Sequence, residues 1–113
     1  MRMTLITNVK IADNFWGKSL GLIMKEKPLR LLIKTRFGIH TFGVKFPIYI
    51  VVLDSSFNVK SVRESLQPNR VFFWNPVYDQ ILELPEGDIG ELGIEVGQKL
   101  ILGSIRKRTK EDS

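Results

Sequence analysis

One short stretch limits what this chain can fold into. In Phe46-Pro47-Ile48-Tyr49-Ile50-Val51-Val52-Leu53-Asp54, alternate residues point to opposite sides of an extended backbone: Ile48, Ile50 and Val52 to one side, Tyr49, Val51 and Leu53 to the other. Both sides are apolar and rich in β-formers, the pattern of a strand covered on both faces. Asp54-Ser55-Ser56-Phe57-Asn58 then supplies turn chemistry, and Val59 to Arg63 returns as a half-exposed strand. The sequence predicts a hairpin at the centre of a β-rich core.

The rest of the chain builds around that hairpin. Met3, Leu5, Val9 and Ile11 line one side of a first strand. Asp13-Asn14 offers a cap for a helix over residues 15–24, whose Trp16, Leu20, Ile23 and Met24 make a core-facing stripe that Pro28 ends. Leu29 to Lys34 reads as a strand, Phe37-Gly38 as a bend, and Ile39 to Lys45 as a further strand with a bulge or tight packing at Gly43. Tyr78 to Leu84 is another strand. Asp88 to Leu92 is one helical turn, with capping-box spacing between Asp88 and Glu91 and a left-handed end at Gly93. Gln98 to Leu102 is the last strand. The expected fold is α+β: a single β-rich domain over residues 1–103, with a curled, mainly antiparallel sheet or small barrel and two short helices. Residues 104–113 form a polar, frayed tail.

Composition excludes several functions. The 113 residues contain no Cys and one His, which removes thiolate chemistry and leaves a His-based metal site or triad without partners. The chain is read as cytoplasmic, with no membrane span, no metal and no cofactor. Its net charge of +5 is unevenly placed: residues 1–45 carry nine Lys/Arg against Asp13 and Glu26, while residues 76–103 carry six acids against Lys99. Such a separation orients partners or self-association.

Three blocks together resemble one family. Gly21-Leu22-Ile23-Met24-Lys25 is similar to its GLMFR helix end. Ile39 to Asp54 is similar to a block that ends in FPIDVVFLD, and Ile81-Leu82-Glu83-Leu84-Pro85-Glu86-Gly87 with Leu92 to Gln98 is similar to VLELPxG followed by LGIxxGD. On these residues the chain is identified as a member of domain-of-unknown-function family 192. The resemblance implies a small β-rich domain and brings no established reaction, substrate or cofactor. The chain departs from the family pattern at three positions: Tyr49 stands where the family has an acid, Gln98 replaces the acid of its GD pair, and Lys25 replaces its arginine. An activity that used the first acid would be lost here.

The remaining candidates are few. His40 beside Thr41 could relay a proton, but no paired acid or nucleophile adjoins it, and a hydrogen-bonded strand histidine explains it as well. Glu83 and Glu86 could serve as acid and base, although their place near a strand end favours solvated carboxylates. The glycines at 87, 90, 93 and 97 lack the order of a phosphate loop and suit turns and caps. Lys34 and Arg36, within a basic stretch beside Phe37 and Phe42, could contact nucleic acid, though no RNA- or DNA-binding motif accompanies them. Phe72, Phe73 and Trp74 cannot share one face of an extended segment, so some aromatic area should meet a groove, a small ligand or a second subunit. Pro76 keeps that segment at an edge, where a homodimer with Trp74 as anchor is the simplest cover. The favoured reading is a non-catalytic binding or interaction module. An enzyme with a strand-end site drawn from His40, Tyr49 and Glu83 is the alternative, and nucleic-acid binding is a third.

Overall fold

The computed structural model describes residues 2–12, 29–36 and 38–104. Their order is β1 (Met3–Ala12), β2 (Leu31–Lys34), β3 (Ile39–His40), β4 (Ile48–Leu53), β5 (Val59–Leu66), β6 (Val71–Phe72), β7 (Gln80–Leu84), α1 (Asp88–Leu92) and β8 (Lys99–Ser104). The helix expected over residues 15–24 and the tail from residue 105 lie outside the described residues. Among the described residues no helix is long and apolar enough to cross a membrane.

Six strands form one sheet in the order β5-β4-β7-β2-β1-β8, and β3 pairs with β6 in a separate ribbon. The large sheet is mixed. β1 runs parallel to both β2 and β8, while β2–β7, β7–β4 and β4–β5 are antiparallel. A parallel pair needs a crossover of roughly a dozen residues or more, and the chain between Ala12 and Leu31 is long enough to supply one.

The sheet curls until its two outer strands meet at one end. Val59 donates its N–H to the Gln98 carbonyl at 2.8 Å, Gly97 donates to the Val59 carbonyl at 2.9 Å, and Leu100 donates to the Phe57 carbonyl at 2.9 Å. This seam closes the sheet into a half-barrel.

β4 is buried on both sides, as its sequence requires. Val51 and Leu53 face the inside of the curl with Ile6, Leu82, Leu84 and Leu100. Ile48, Ile50 and Val52 face the other way, into a second cluster with Leu31, Ile33 and Ile81, against which the half-buried Phe72 and Trp74 pack. Each such side chain contributes about 1.5–3 kcal/mol by leaving water, so both faces matter to stability.

Three local expectations are corrected. Met3, Leu5, Val9 and Ile11 do not share one side of β1: Ile6 and Val9 are buried while Met3, Leu5 and Ile11 are exposed, because the register shifts between Ile6 and Val9, where Asn8 adopts φ 59°. Ile39 to Lys45 is not one strand: β3 stops at His40, and Thr41 opens a turn in which its carbonyl accepts the Val44 N–H at 3.1 Å and Gly43 adopts φ 87°. The buried Thr41 hydroxyl accepts the Arg70 N–H at 2.9 Å and donates to the Gln67 carbonyl at 2.7 Å, which anchors the turn to the chain before β6. At α1 the N-cap is Gly87, not Asp88, and no side chain caps it. The Asp88 carboxylate instead takes the Arg30 Nε at 2.7 Å. A charged, bidentate-capable partner outcompetes the helix end, and this ion pair ties α1 to the start of β2.

Candidate functional site

The β3–β6 ribbon sorts the aromatic residues. Ile39 pairs with Phe72 and His40 with Val71, and alternation turns Ile39, Phe72 and Trp74 toward the second cluster. The Trp74 indole N–H donates to the Tyr78 carbonyl at 2.8 Å, so its polar edge is satisfied on the domain. Val71 and Phe73 turn outward and are 50% and 70% exposed. The Phe73 ring lies against Gly38, where a Cβ would come within 2.5 Å of it and where φ is +90°. A glycine is required there on both counts.

His40 continues that outward strip. Its ring stacks on Phe42 at 4.8 Å between centroids, and its Nδ1 accepts the Phe42 N–H at 3.3 Å. Nδ1 is therefore an acceptor, which leaves Nε2 as the one polar donor on a strip of Phe42, Val71 and Phe73.

Glu83 lies elsewhere, and the expectation of a solvated carboxylate fails for it. It is 0% exposed, one residue before the end of β7, with Leu31 of β2 and Ile50 of β4 beside it. Neither carboxylate oxygen has a hydrogen-bond partner among the described residues. Burial holds its carboxyl well above the ordinary carboxylate range. Glu83 does stand at the strand end that the Leu-Glu-Leu-Pro spelling indicates, but β7 is flanked by strands on both sides and that end is buried. Glu86, just past the strand, is exposed.

The three acid–base candidates do not converge. Tyr49 packs on the inner cluster, Glu83 on the opposite face of the sheet, and His40 on the outer face of the ribbon. Among the described residues no three His, Asp or Glu side chains gather as metal ligands.

The basic candidates are partly occupied. Arg36 donates to the Pro76 carbonyl at 2.9 Å and lies 3.5 Å from the Asp79 carboxylate, while Lys34 is exposed at the end of β2. Phe37, the ring that would accompany them, lies outside the described residues.

The burial and bonding of three polar residues escaped the reading of the sequence. Thr41 anchors the ribbon turn, and Gln80 donates to the Asp54 carbonyl at 2.9 Å. Gln98 accepts the Glu95 N–H at 2.6 Å and donates to the Thr4 hydroxyl at 2.8 Å, which makes the departure at this position a structural tie. The only available signal was a polar residue inside or beside an apolar run.

The arrangement defines a class first: a curled mixed β-sheet, closed at one end, with a ribbon over its outer face. A family model described as Uncharacterized ACR (DUF192) matches residues 2–102, and the chain belongs to that family. No curated protein matches the chain. Two solved structures share the fold. A protein of unknown function from Novosphingobium aromaticivorans is 15% identical, with a TM-score of 0.61 over 80% of this chain and 70% of that one. A proposed transcription regulator from Sinorhizobium meliloti is 14% identical, with a TM-score of 0.58 over 82% of this chain and 78% of that one. At these identities the likeness concerns the fold alone.

Proposed function

We propose that this protein is a non-catalytic interaction module whose docking surface is the outer face of the β3–β6 ribbon. One observation carries the reading: strand alternation sends Val71 and Phe73 outward, at 50% and 70% exposure, while Phe72 and Trp74 turn in. With Phe42 and the His40 ring they form an apolar strip with one polar donor, the composition of a recognition surface more than of a solvated loop. The separation of His40, Tyr49 and Glu83 on three surfaces supports binding over catalysis.

A second copy of the chain is the occupant, because a two-fold axis lets one exposed strip cover itself. The anchor is Phe73, since Trp74 is already satisfied within its own domain. Light scattering should find a dimer for the unchanged protein. Phe73→Ser should shift it to monomer with the melting temperature nearly unchanged, because an exposed side chain contributes within about 0.5 kcal/mol to the fold. A monomer at high concentration for the unchanged protein would overturn the reading.

A further inference from the structure

The second face of the sheet carries one row of side chains across five strands. Lys10 of β1 pairs with Leu31 of β2, Leu31 with Glu83 of β7, Glu83 with Ile50 of β4, and Ile50 with Arg63 of β5. Paired residues share a face, so the row reads base, leucine, acid, isoleucine, base. The ribbon sits at its β5 end, where the Arg63 guanidinium lies 6.0 Å from the Phe72 ring centroid.

Glu83 is the only member of this row that is both polar and buried. Leu31 and Ile50 offer it no donor. Lys10 and Arg63 are exposed, on strands about 10 Å from β7, and each is separated from the carboxyl by one apolar side chain. Among the described residues of the hydrophobic cluster on this face, the Tyr78 phenol is the titratable group, and the Trp74 indole has its N–H already donated. His40 faces away, on the outer side of the ribbon. The surroundings accept a neutral acid and reject a carboxylate.

We propose that Glu83 is a proton-controlled latch: as the acid it lets the β3–β6 ribbon close on the second face of the sheet, and when its proton leaves to solvent the ribbon lifts so that water reaches the carboxylate. The ribbon is the part that yields because little holds it. Its ladder is two residues long on each strand, supplemented by the bonds of Thr41, whereas β7 is hydrogen-bonded to β2 and β4 on both sides. Local opening follows the weakest set of contacts. This inference is independent of what docks on the ribbon's outer face.

The sign follows from burial. The closed form holds the proton more tightly than the open form, so closure is at full strength below the ordinary carboxylate range. It weakens as pH rises toward the raised value. Within that window each opening releases one proton, and the opening constant grows about tenfold per pH unit.

Hydrogen exchange followed by NMR, corrected for intrinsic rates, tests this on the whole chain. Protection of the Thr41, Asn69 and Arg70 amides should fall by about tenfold per pH unit, while Val51 and Leu82 amides in the sheet hold. Glu83→Gln should flatten the dependence. The carbon-13 shift of the Glu83 carboxyl should titrate well above the ordinary carboxylate range, and this measurement decides the matter if the variant does not fold. Three results would each overturn the latch: ordinary carboxylate titration of Glu83, an unchanged pH dependence in Glu83→Gln, or equal loss of protection in β4 and β7.

Discussion

At the seam between β5 and β8, Gln98 is 5% exposed and both ends of its amide are used, by the Glu95 N–H and the Thr4 hydroxyl. On the second face of the sheet, Glu83 is 0% exposed and both its oxygens lack a partner among the described residues. The difference lies in what each backbone can offer. Gln98 enters β8 from a turn, where N–H groups not consumed by a ladder point toward it. Glu83 projects from the middle of a sheet whose donors all lie in the sheet plane, bonded to neighbouring strands. A side chain that stands perpendicular to a sheet meets only other side chains, and here those are Leu31 and Ile50. Turns supply backbone partners to buried polar groups, as they do for Gln98 and, at the Asp54 carbonyl, for Gln80 of β7, while Glu83 on the same strand meets only apolar side chains.

The severest way to press this contrast is Ile50→Asp. It sets a second carboxyl directly beside Glu83, and an uncompensated buried charge costs about 3–5 kcal/mol. Chemical denaturation should find the variant unfolded or nearly so. A midpoint close to that of the unchanged protein would mean that water or a base reaches this face after all.

A smaller effect is expected on the satisfied side. Gln98→Ala removes both bonds at once and orphans the Glu95 N–H, at about 1–3 kcal/mol. Urea unfolding should register the loss at every pH, since no ionisation is involved. A neutral result would make the seam's backbone bonds sufficient by themselves.

The smallest effect belongs to a carboxylate that has partners. Burial pushes the Asp54 carboxyl up, but the Asn58 side chain, the Asn58 and Ser56 N–H groups and the Lys60 ammonium outweigh it, and the net shift is downward. A group with a lowered folded-state pKa stabilises above its unfolded value and loses that contribution as pH falls through the folded one. Asp54→Asn should therefore unfold with a shallower acid dependence than the unchanged protein. Identical acid slopes would show that the turn does not depend on the charge. Asp54 weakens the fold toward acid and Glu83 toward base, so stability should peak between them.

The legibility of this chain follows the same division. β4, β7 and the α1 turn could be read because side-chain alternation and Gly93 express them locally, and the inward–outward split of Phe72, Phe73 and Trp74 follows from alternation alone. β1 could be read as a strand but not its buried side, because the irregularity between Ile6 and Val9 breaks the alternation. The turn after His40 could not be read. Ile39 to Lys45 is apolar enough to be a strand, and only the long-range bonds of Thr41 to Gln67 and Arg70 end it. The burial of Glu83 was hidden for a related reason. A glutamate near a Pro-Glu-Gly turn does sit near a strand end, and only β2 and β4 on either side show that this end is buried. Trp74 as a docking anchor was favoured on residue type, and no local pattern foretold that its N–H would turn back to Tyr78.

The parallel pairing of β1 with β8 sets Met3 beside Lys99. β1 therefore waits for β8, far along the chain, before its ladder on that side exists. The hairpin of β4 and β5 can form by itself, but the curled sheet closes only after the segment around Gln98 and Leu100 reaches Phe57 and Val59. Pairings so distant along the chain slow folding, because the entropy of a long loop is lost before the contact is gained. On the ribosome, β1 must keep an unpaired edge until the segment from Lys99 to Ser104 has emerged. During that interval its Met3, Leu5 and Ile11 side chains, still 58%, 60% and 49% exposed in the finished fold, lie along an open strand. The period of greatest aggregation risk is thus set by the order in which the polypeptide is synthesised.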